Sequence, residues 1–315
     1  MLNFVSLFPY LLMRRYTLRQ LDTFLEVART ESVSKAAEKL HVTQPAISMQ
    51  LRQLEDALGV PLIEAAGRNI RLTAAGLEVE VFAIAALAQL RQLDDTVSNL
   101  CGLHNGRVDL GMVSTAKYFV PMLLVQFRKR YPGIEISMQI HNREHMMNLL
   151  QRNELDLIIM GRGPEGIDCS STPFATNPLG VVCAPNHPLS RRRNAPLGIL
   201  DGAEFVVREK GSGTRAAMER VFAEHAIVPK IVMEMPSNES IKQAVMAGMG
   251  LSFLSLRTVR HELASGHLAL LDLEGLPLIR HWHVTHLRSK RHAPAAQRLK
   301  EFLIAEGGPL INTWA

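Results

Sequence analysis

SVSKAAEKLHVTQPAISMQLRQLED, residues 32 to 56, decides the reading of this chain: two short amphipathic helices joined by a tight turn. Ser32 is placed to cap the first helix, which runs through Lys35, Ala36, Ala37 and Leu40, and the paired alanines allow the close helix contact a helix-turn-helix needs. His41 and Val42 carry the turn. Thr43 then stands as the cap of a second helix whose first turn holds Pro45, where a missing N–H removes no helical bond. Ile47, Leu51, Leu54 and Leu58 recur at i, i+4, i+7 and i+11 and form one buried stripe. At about 100° per residue the opposite face carries Pro45, Met49, Arg52 and Asp56, with Ser48 on its shoulder. Thr43 and Gln44 lie at the exposed N-terminal end, the part a recognition helix offers to base edges.

Packing alone would account for such periodicity in any alanine-rich helix pair, so the flanks matter. Leu18, Leu21, Phe24, Leu25 and Ala28 outline a further amphipathic helix before the pair. After it, Pro61-Leu62-Ile63 and Ile70-Arg71-Leu72-Thr73 bracket Gly67-Arg68-Asn69 as a two-stranded wing, which gives a winged helix-turn-helix over residues 16–74. Leu18 to Gly76 resembles the DNA-binding domain of the LysR-type transcriptional regulators. The resemblance implies contacts to double-stranded DNA from Ser34, Thr43, Gln44, Pro45, Ser48 and Arg52, with Arg68 and Arg71 of the wing near the phosphate backbone. The wing of that family commonly carries an arginine two residues before its glycine; Ala65 stands there instead, so one phosphate contact is expected to be missing. Solvated surface is the competing reading of Arg68 and Arg71.

The composition agrees with a folded, soluble chain. Its 315 residues suggest two domains or more, and 47% hydrophobic with 21% charged residues argues against disorder. A net charge of +5 suits an anionic partner but is too modest to prove one. Cys101, Cys169 and Cys183 make no C-x-x-C pair and no even framework, which fits a reducing cytoplasm. MLNFVSLFPYLLM is too short to span a bilayer and lacks a leading positive charge and a cleavage site, so residues 1–15 read as an extension, or as a start placed before Met13. No membrane partner is expected.

Residues 75–103 read as a linker helix. Val79, Ala86, Leu93 and Leu100 fall on one series of sevens, and Ala83, Leu90 and Val97 on the other. A seam of this length suits a second copy; in the family this helix pairs two DNA-binding domains, so a homodimer, further paired into a homotetramer, is expected on an inverted-repeat operator. Cys101, Gly102, Asn105 and Gly106 mark the domain boundary.

Beyond Arg107, short apolar runs alternate with amphipathic helices, the pattern of a parallel α/β architecture. Two lobes are expected, residues 107–180 plus 285–315 and residues 181–284, with crossings near Gly180 and Val284, as in the two-lobed solute-binding proteins that the LysR family resembles in its effector domain. Ligands of open α/β sheets sit beyond the carboxyl ends of strands. The loops there supply Ser114, Thr115 and Lys117; Asn142 and Arg143; Arg162; Ser212, Gly213, Thr214 and Arg215; and Asn238, Glu239 and Ser240. REKGSGTR, Arg208 to Arg215, joins flexible glycines, hydroxyls, cations and a helix start, a combination suited to phosphate, although a capping turn that binds nothing would have the same composition. Gly161-Arg-Gly163-Pro-Glu-Gly166 satisfies G-x-G-x-x-G, but Pro164 and Ser170-Ser171-Thr172-Pro173 do not open the helix of a dinucleotide fold, so this loop is read as a lip of the cleft.

VSTAKYFVP, REKGSGTR, MPSNESIKQAVMAGMGLSFLSL and EGLPLIRHWHVTHLRSKRHAPAA are together similar to the LysR-type regulators of Calvin-cycle carbon-fixation operons, the CbbR group. That similarity implies control of ribulose bisphosphate carboxylase genes through RNA polymerase, and sensing of a phosphorylated metabolite or NADPH, with no bound cofactor. An enzyme is the main rival, but G-x-S-x-G and H-E-x-x-H are both absent, and His281, His283, His286 and His292 do not share one strand face as a zinc site requires.

Overall fold

The computed structural model describes residues 16–66, 69–100 and 106–313. The expected extension over residues 1–15, the wing residue Arg68 and the boundary residues 101–105 lie outside these. The chain forms two compact units that divide at Asp94 and Asp95.

In the first unit, α1 (Leu18–Thr30) starts at a capping box in which the Thr17 hydroxyl accepts from the Gln20 N–H. The turn-linked pair is α2 (Val33–Lys39) and α3 (Gln44–Leu58). Ser32 accepts from the Lys35 N–H at 3.4 Å, as its place in the sequence suggests. Thr43 differs: its backbone is extended at the cap position, but its hydroxyl caps nothing. His41 takes φ 53° in the turn. Phe24, Ile47 and Leu54 are fully enclosed, each contributing about 1.5–3 kcal/mol by burial. Leu18, by contrast, is half exposed at the helix start.

The wing pairs β1 (Ile63–Ala66) with β2 (Asn69–Leu72), Ile63 opposite Leu72 and Glu64 opposite Arg71. The long helix α4 (Ala74–Leu100) follows. Its start is fixed by Thr73, whose hydroxyl donates to the Pro61 carbonyl and accepts from the Gly76 N–H. This anchorage turns Ala83 and Val79 onto the domain's own core. Of the expected seam, Ala86, Leu93 and Val97 stay exposed; Leu77, Val81 and Phe82 are the other large apolar residues exposed on α4 among the described side chains.

The second unit is built on β3 (Gly106–Val113), α5 (Val120–Arg130), β4 (Ile134–His141), α6 (Arg143–Gln151) and β5 (Leu157–Met160), with β3 parallel to both β4 and β5. β6 (Cys169–Cys183) then runs for 15 residues and includes the Ser170–Thr172 tract, which as expected opens no helix. β7 (Glu204–Arg208), α7 (Gly213–Glu224), β8 (Lys230–Met235), α8 (Asn238–Met246), β9 (Ser252–Ser255), α9 (Arg260–Ala264) and β10 (Ala269–Leu270) complete the excursion, and β11 (Leu278–Leu287) returns antiparallel to β6 and β5. α10 (Pro294–Thr313) closes the chain.

Two lobes result, each with its own core. Leu110, Leu157, Ala175, Trp282, Val284 and Leu299 share one core; Leu179, Val181, Phe205, Phe222 and Leu251 share the other, with Leu278 packed against it. The crossings thus fall between Ala175 and Leu179 and between Leu278 and Trp282, a few residues before Gly180 and Val284, because the two strands are continuous and only their side-chain packing changes lobe.

His286 and His292 meet edge to face at 4.2 Å between ring centroids, away from His283. The Lys300 ammonium donates to His286 Nε2, while both ring nitrogens of His292 are buried without a partner. Burial first, then His286 and Lys300, push the His292 pKa down to about 4 against a weaker pull from Asp156. The unfolded chain takes up this proton near pH 6.5 and the folded one does not. Stability of this unit is expected to be full above pH 6.5 and to fall by up to about 3 kcal/mol as the pH drops towards 4. Urea unfolding followed across that range checks this, and His292→Phe should flatten the slope.

Candidate DNA-contacting surface and effector cleft

The N-terminal end of α3 presents a continuous polar surface. Thr43, Gln44, Pro45, Ser48 and Arg52 are all exposed, as is Ser34 on α2. The Ser34 hydroxyl donates to Gln44 Oε1 at 3.3 Å, so one helix of the pair orients the foremost side chain of the other. With its hydroxyl free of capping, Thr43 offers a donor outward. Arg71 is exposed on the wing.

What holds the wing against α3 is Glu55, a residue the sequence reading passed over. Its carboxylate accepts from the N–H of Leu62 at 2.8 Å and of Ile63 at 3.3 Å, where β1 begins. Charge-assisted bonds of this kind contribute about 1.5–3 kcal/mol. Glu55→Ala is expected to release the wing and weaken binding to all DNA sequences about equally, measured by fluorescence anisotropy on specific and random duplexes; unchanged affinity for both would remove Glu55 from this role.

In the second unit a small polar cavity lies between the lobes. Ser114, Thr115, Asn142, Arg143, Ser212, Gly213 and Thr214 line it, as the loop assignment expected. Lys117, Arg162, Arg215, Asn238, Glu239 and Ser240 do not. Arg215, in the first turn of α7, folds back onto the Arg208 carbonyl at 3.2 Å and onto Glu219, supporting the end of β7. Asn238 is buried and accepts from Arg208. Lys117 lies beside the Tyr118 ring, and Ser240 is exposed on α8.

Asn177, Arg208, Arg280 and Trp282 also line the cavity; none stood among the expected effector residues, although Arg208 opens REKGSGTR. Arg208 is 3% exposed and fully engaged: it forms a two-pronged pair with Glu209, and donates to Asn238 Oδ1 at 2.8 Å and to Ser114 Oγ at 3.0 Å. Ser114 directly follows β3 in one lobe and Asn238 opens α8 in the other, so this guanidinium ties the lobes together. Arg143 and Arg280 are different. Neither has an ion pair among the described residues, and Arg280 donates only to the Gly213 carbonyl, at 3.2 Å. Burial lowers the pKa of both, aided at Arg280 by Arg220 and Arg143, though both remain cations. The starts of α6 and α7 meet the same cavity and add the positive ends of two helix dipoles. Both features favour negative charge in the cavity.

A second link between the lobes lies outside the cavity. The Tyr118 hydroxyl donates to Glu239, which also pairs with Lys242 at 2.8 Å; Lys242 in turn pairs with Glu262. Burial, then the bond to Glu239, hold the Tyr118 phenol in its neutral form. Burial opposes the ionised Glu239 carboxylate, but hydrogen bonds from Lys242 and Tyr118 outweigh it and lower its pKa. Glu239 therefore acts in this latch.

Residues 18–77 match the bacterial regulatory helix-turn-helix protein, lysR family, and residues 102–308 match the LysR substrate binding domain. The chain is 42% identical over 290 residues to the RuBisCO operon transcriptional regulator of Allochromatium vinosum, covering 92% of this chain and 96% of that protein. It is 44% identical over 288 residues to the transcriptional regulator CbbR of Rhodospirillum rubrum, covering 91% and 96%. The regulatory domain of CcmR from Synechocystis, solved in complex with 2-PG, superposes with a TM-score of 0.62 at 41% identity, covering 64% of this chain and 97% of that domain. Both halves of the sequence, the helix-turn-helix and the two-lobed α/β unit, thus point the same way, and the chain belongs to the LysR family of transcriptional regulators, beside those of the RuBisCO operons.

Proposed function

We propose that this protein is a cytoplasmic, sequence-specific DNA-binding regulator of a carbon-fixation operon, switched by a small phosphorylated acid in the interlobe cavity. The observation that carries the effector is the pair Arg143 and Arg280, two half-buried cations without carboxylates, beside two helix starts. Likeness to a domain bound to 2-phosphoglycolate supports the same chemistry, a carboxylate and a phosphate on one small body.

On the DNA side, a homodimer joined along Phe82, Ala86, Leu93 and Val97 of α4 would present two recognition helices to an inverted repeat, and pairing of dimers gives a homotetramer. Ligand binding favours one lobe arrangement, the angle between dimers changes, and with it the DNA bend and access for RNA polymerase. A coupling of about 1–3 kcal/mol is enough to alter occupancy 5- to 150-fold. Gln44→Ala or Ser48→Ala is expected to weaken specific binding by about 1–3 kcal/mol and relax base preference, whereas Arg71→Ala should weaken all sequences alike and reduce the salt dependence. Competition binding against operator and random duplex separates the two; a Gln44→Ala protein with intact specificity would displace α3 from the recognition role.

Footprinting on the promoter adjoining the protein's own gene tests the whole reading, with 2-phosphoglycolate, ribulose 1,5-bisphosphate, phosphoenolpyruvate and NADPH added in turn. The expected result is a protected inverted repeat that shortens or shifts with a small phosphorylated acid. Protection that ignores all four would keep the regulator and reject the effector class; a response to NADPH alone would reject a small phosphorylated acid as the effector.

A further inference from the structure

Beside the cleft lies a wider cavity of about 520 Å³. Arg143 and Arg280 line this cavity as well as the cleft, and so stand in the wall between the two. Arg162 and Arg220 line only the outer one, with Asn148 nearby and Glu165 as the one carboxylate on its lining. None of the four arginines has an ion pair among the described residues, and three of them have no hydrogen bond either. What sets these four apart is their convergence on one cavity, with Arg143 and Arg280 half-buried in its wall.

Keeping the half-buried Arg143 and Arg280 in this cluster is costly. Like charges held together in partly desolvated surroundings repel, and the lowered pKa of Arg280, caused by burial and then by Arg220 and Arg143, reports that repulsion. The fold nevertheless keeps the cluster together. Arg162 rides on a loop tied to β6 by the Gly163 N–H, which donates to Ser171 Oγ at 3.0 Å, and a Cβ on Gly163 would meet Cys169 Sγ at 3.0 Å. Arg220 is fixed on α7 and Arg143 on the first turn of α6. A rigid frame that maintains four unneutralised guanidiniums around a cavity calls for an anion to complete it.

We propose that the outer cavity is a second oxyanion site, for a multiply charged anion of phosphate size, and that its occupancy opposes ligand binding in the cleft, because both sites draw on Arg143 and Arg280. The site stands on its own geometry; the coupling rests on the cleft being the effector site. By linkage the opposition is mutual: the cleft ligand weakens the outer anion by the same factor.

Equilibrium dialysis of the full chain against labelled inorganic phosphate tests this, comparing wild type with the double variant Arg162→Gln/Arg220→Gln. Both side chains are exposed, so the variant keeps the fold, and Arg162→Lys/Arg220→Lys serves as the charge-preserving control. Two phosphates per chain are expected in the wild type and in the lysine control, and one in the glutamine variant, its outer site weakened about 10-fold or more. With 2-phosphoglycolate saturating, one phosphate should remain on the wild type and none on the glutamine variant. Apparent affinity for 2-phosphoglycolate should fall beyond simple competition in the wild type, by about 5-fold or more, and not in the variant. Equal phosphate stoichiometry in wild type and glutamine variant overturns the site. If 2-phosphoglycolate displaces no phosphate from either protein, the cleft reading fails while the stoichiometry still decides the outer site.

Discussion

Arg208→Leu is expected to abolish the effector response and to lower the stability of the α/β unit by about 3–5 kcal/mol, while leaving the helix-turn-helix able to bind DNA. The guanidinium is almost wholly enclosed, and its removal strands partners on both sides: the Glu209 carboxylate, the Asn238 amide and the Ser114 hydroxyl. Breaking such a set costs more than the set contributes, because the carboxylate left behind stays desolvated; the solvent edge on Glu209 places the cost towards the lower end. Leucine fills part of the volume and offers no donor, so the tie from Ser114 to Asn238 is lost. Thermal unfolding followed by circular dichroism reads the stability, and a footprint with and without 2-phosphoglycolate reads the response. A protein that keeps both would show that the other links, Tyr118 to Glu239 and the Glu144 N–H to the Gly211 carbonyl, suffice to hold the lobes. Tyr118→Phe, which removes only that second tie, should leave the cavity intact and reduce ligand affinity by a smaller factor.

Gly76→Val is expected to cost on the order of 4 kcal/mol or more and to eliminate specific DNA binding. A Cβ at this position would lie 2.1 Å from the Leu62 carbonyl oxygen, a backbone atom that also accepts from the Thr73 N–H. No rotamer relieves such a contact. Either α4 lifts off the wing or the start of β1 shifts, and both break the short links through Thr73, Pro61 and Glu55 that set the wing against α3. Since small units are stable by only about 5–15 kcal/mol, the loss is a large fraction of the whole. Differential scanning calorimetry is expected to show an early transition for the first unit with the second unchanged; a single unaltered endotherm with normal operator binding would refute the close-packing argument.

The helix pair was legible in the sequence because its determinants are local. Ser32, the left-handed turn at His41, Pro45 in the first turn and the stripe from Ile47 to Leu54 each act within a few residues, so spacing alone fixes helix, turn and exposed face. Strands and helices of the α/β unit were legible for the same reason, and with them the loop residues Ser114, Asn142 and Ser212 to Thr214 at helix starts. The seam of α4 was legible as a period: Ala86, Leu93 and Val97 are exposed as expected, whereas Val79 and Ala83 satisfy that period equally well by packing on their own domain.

By itself, then, the sequence determined the winged helix-turn-helix and the exposed face of α3, because these follow from local periodicity and capping, and its motifs carried the resemblance to the family. Only the tertiary structure decided which charges meet. Arg208 and Arg280 come from strands, Asn177 and Trp282 from the two chain segments that cross between lobes, and β6 extends through Ser170 to Thr172 only because β11 pairs with it. It also decided that Arg215 turns to the backbone, Glu239 to Tyr118 and Arg162 to a separate cavity. The physical reason is range: a hydrogen bond or an ion pair is made between groups brought within a few ångströms by the packing of distant segments, and no local pattern carries that distance.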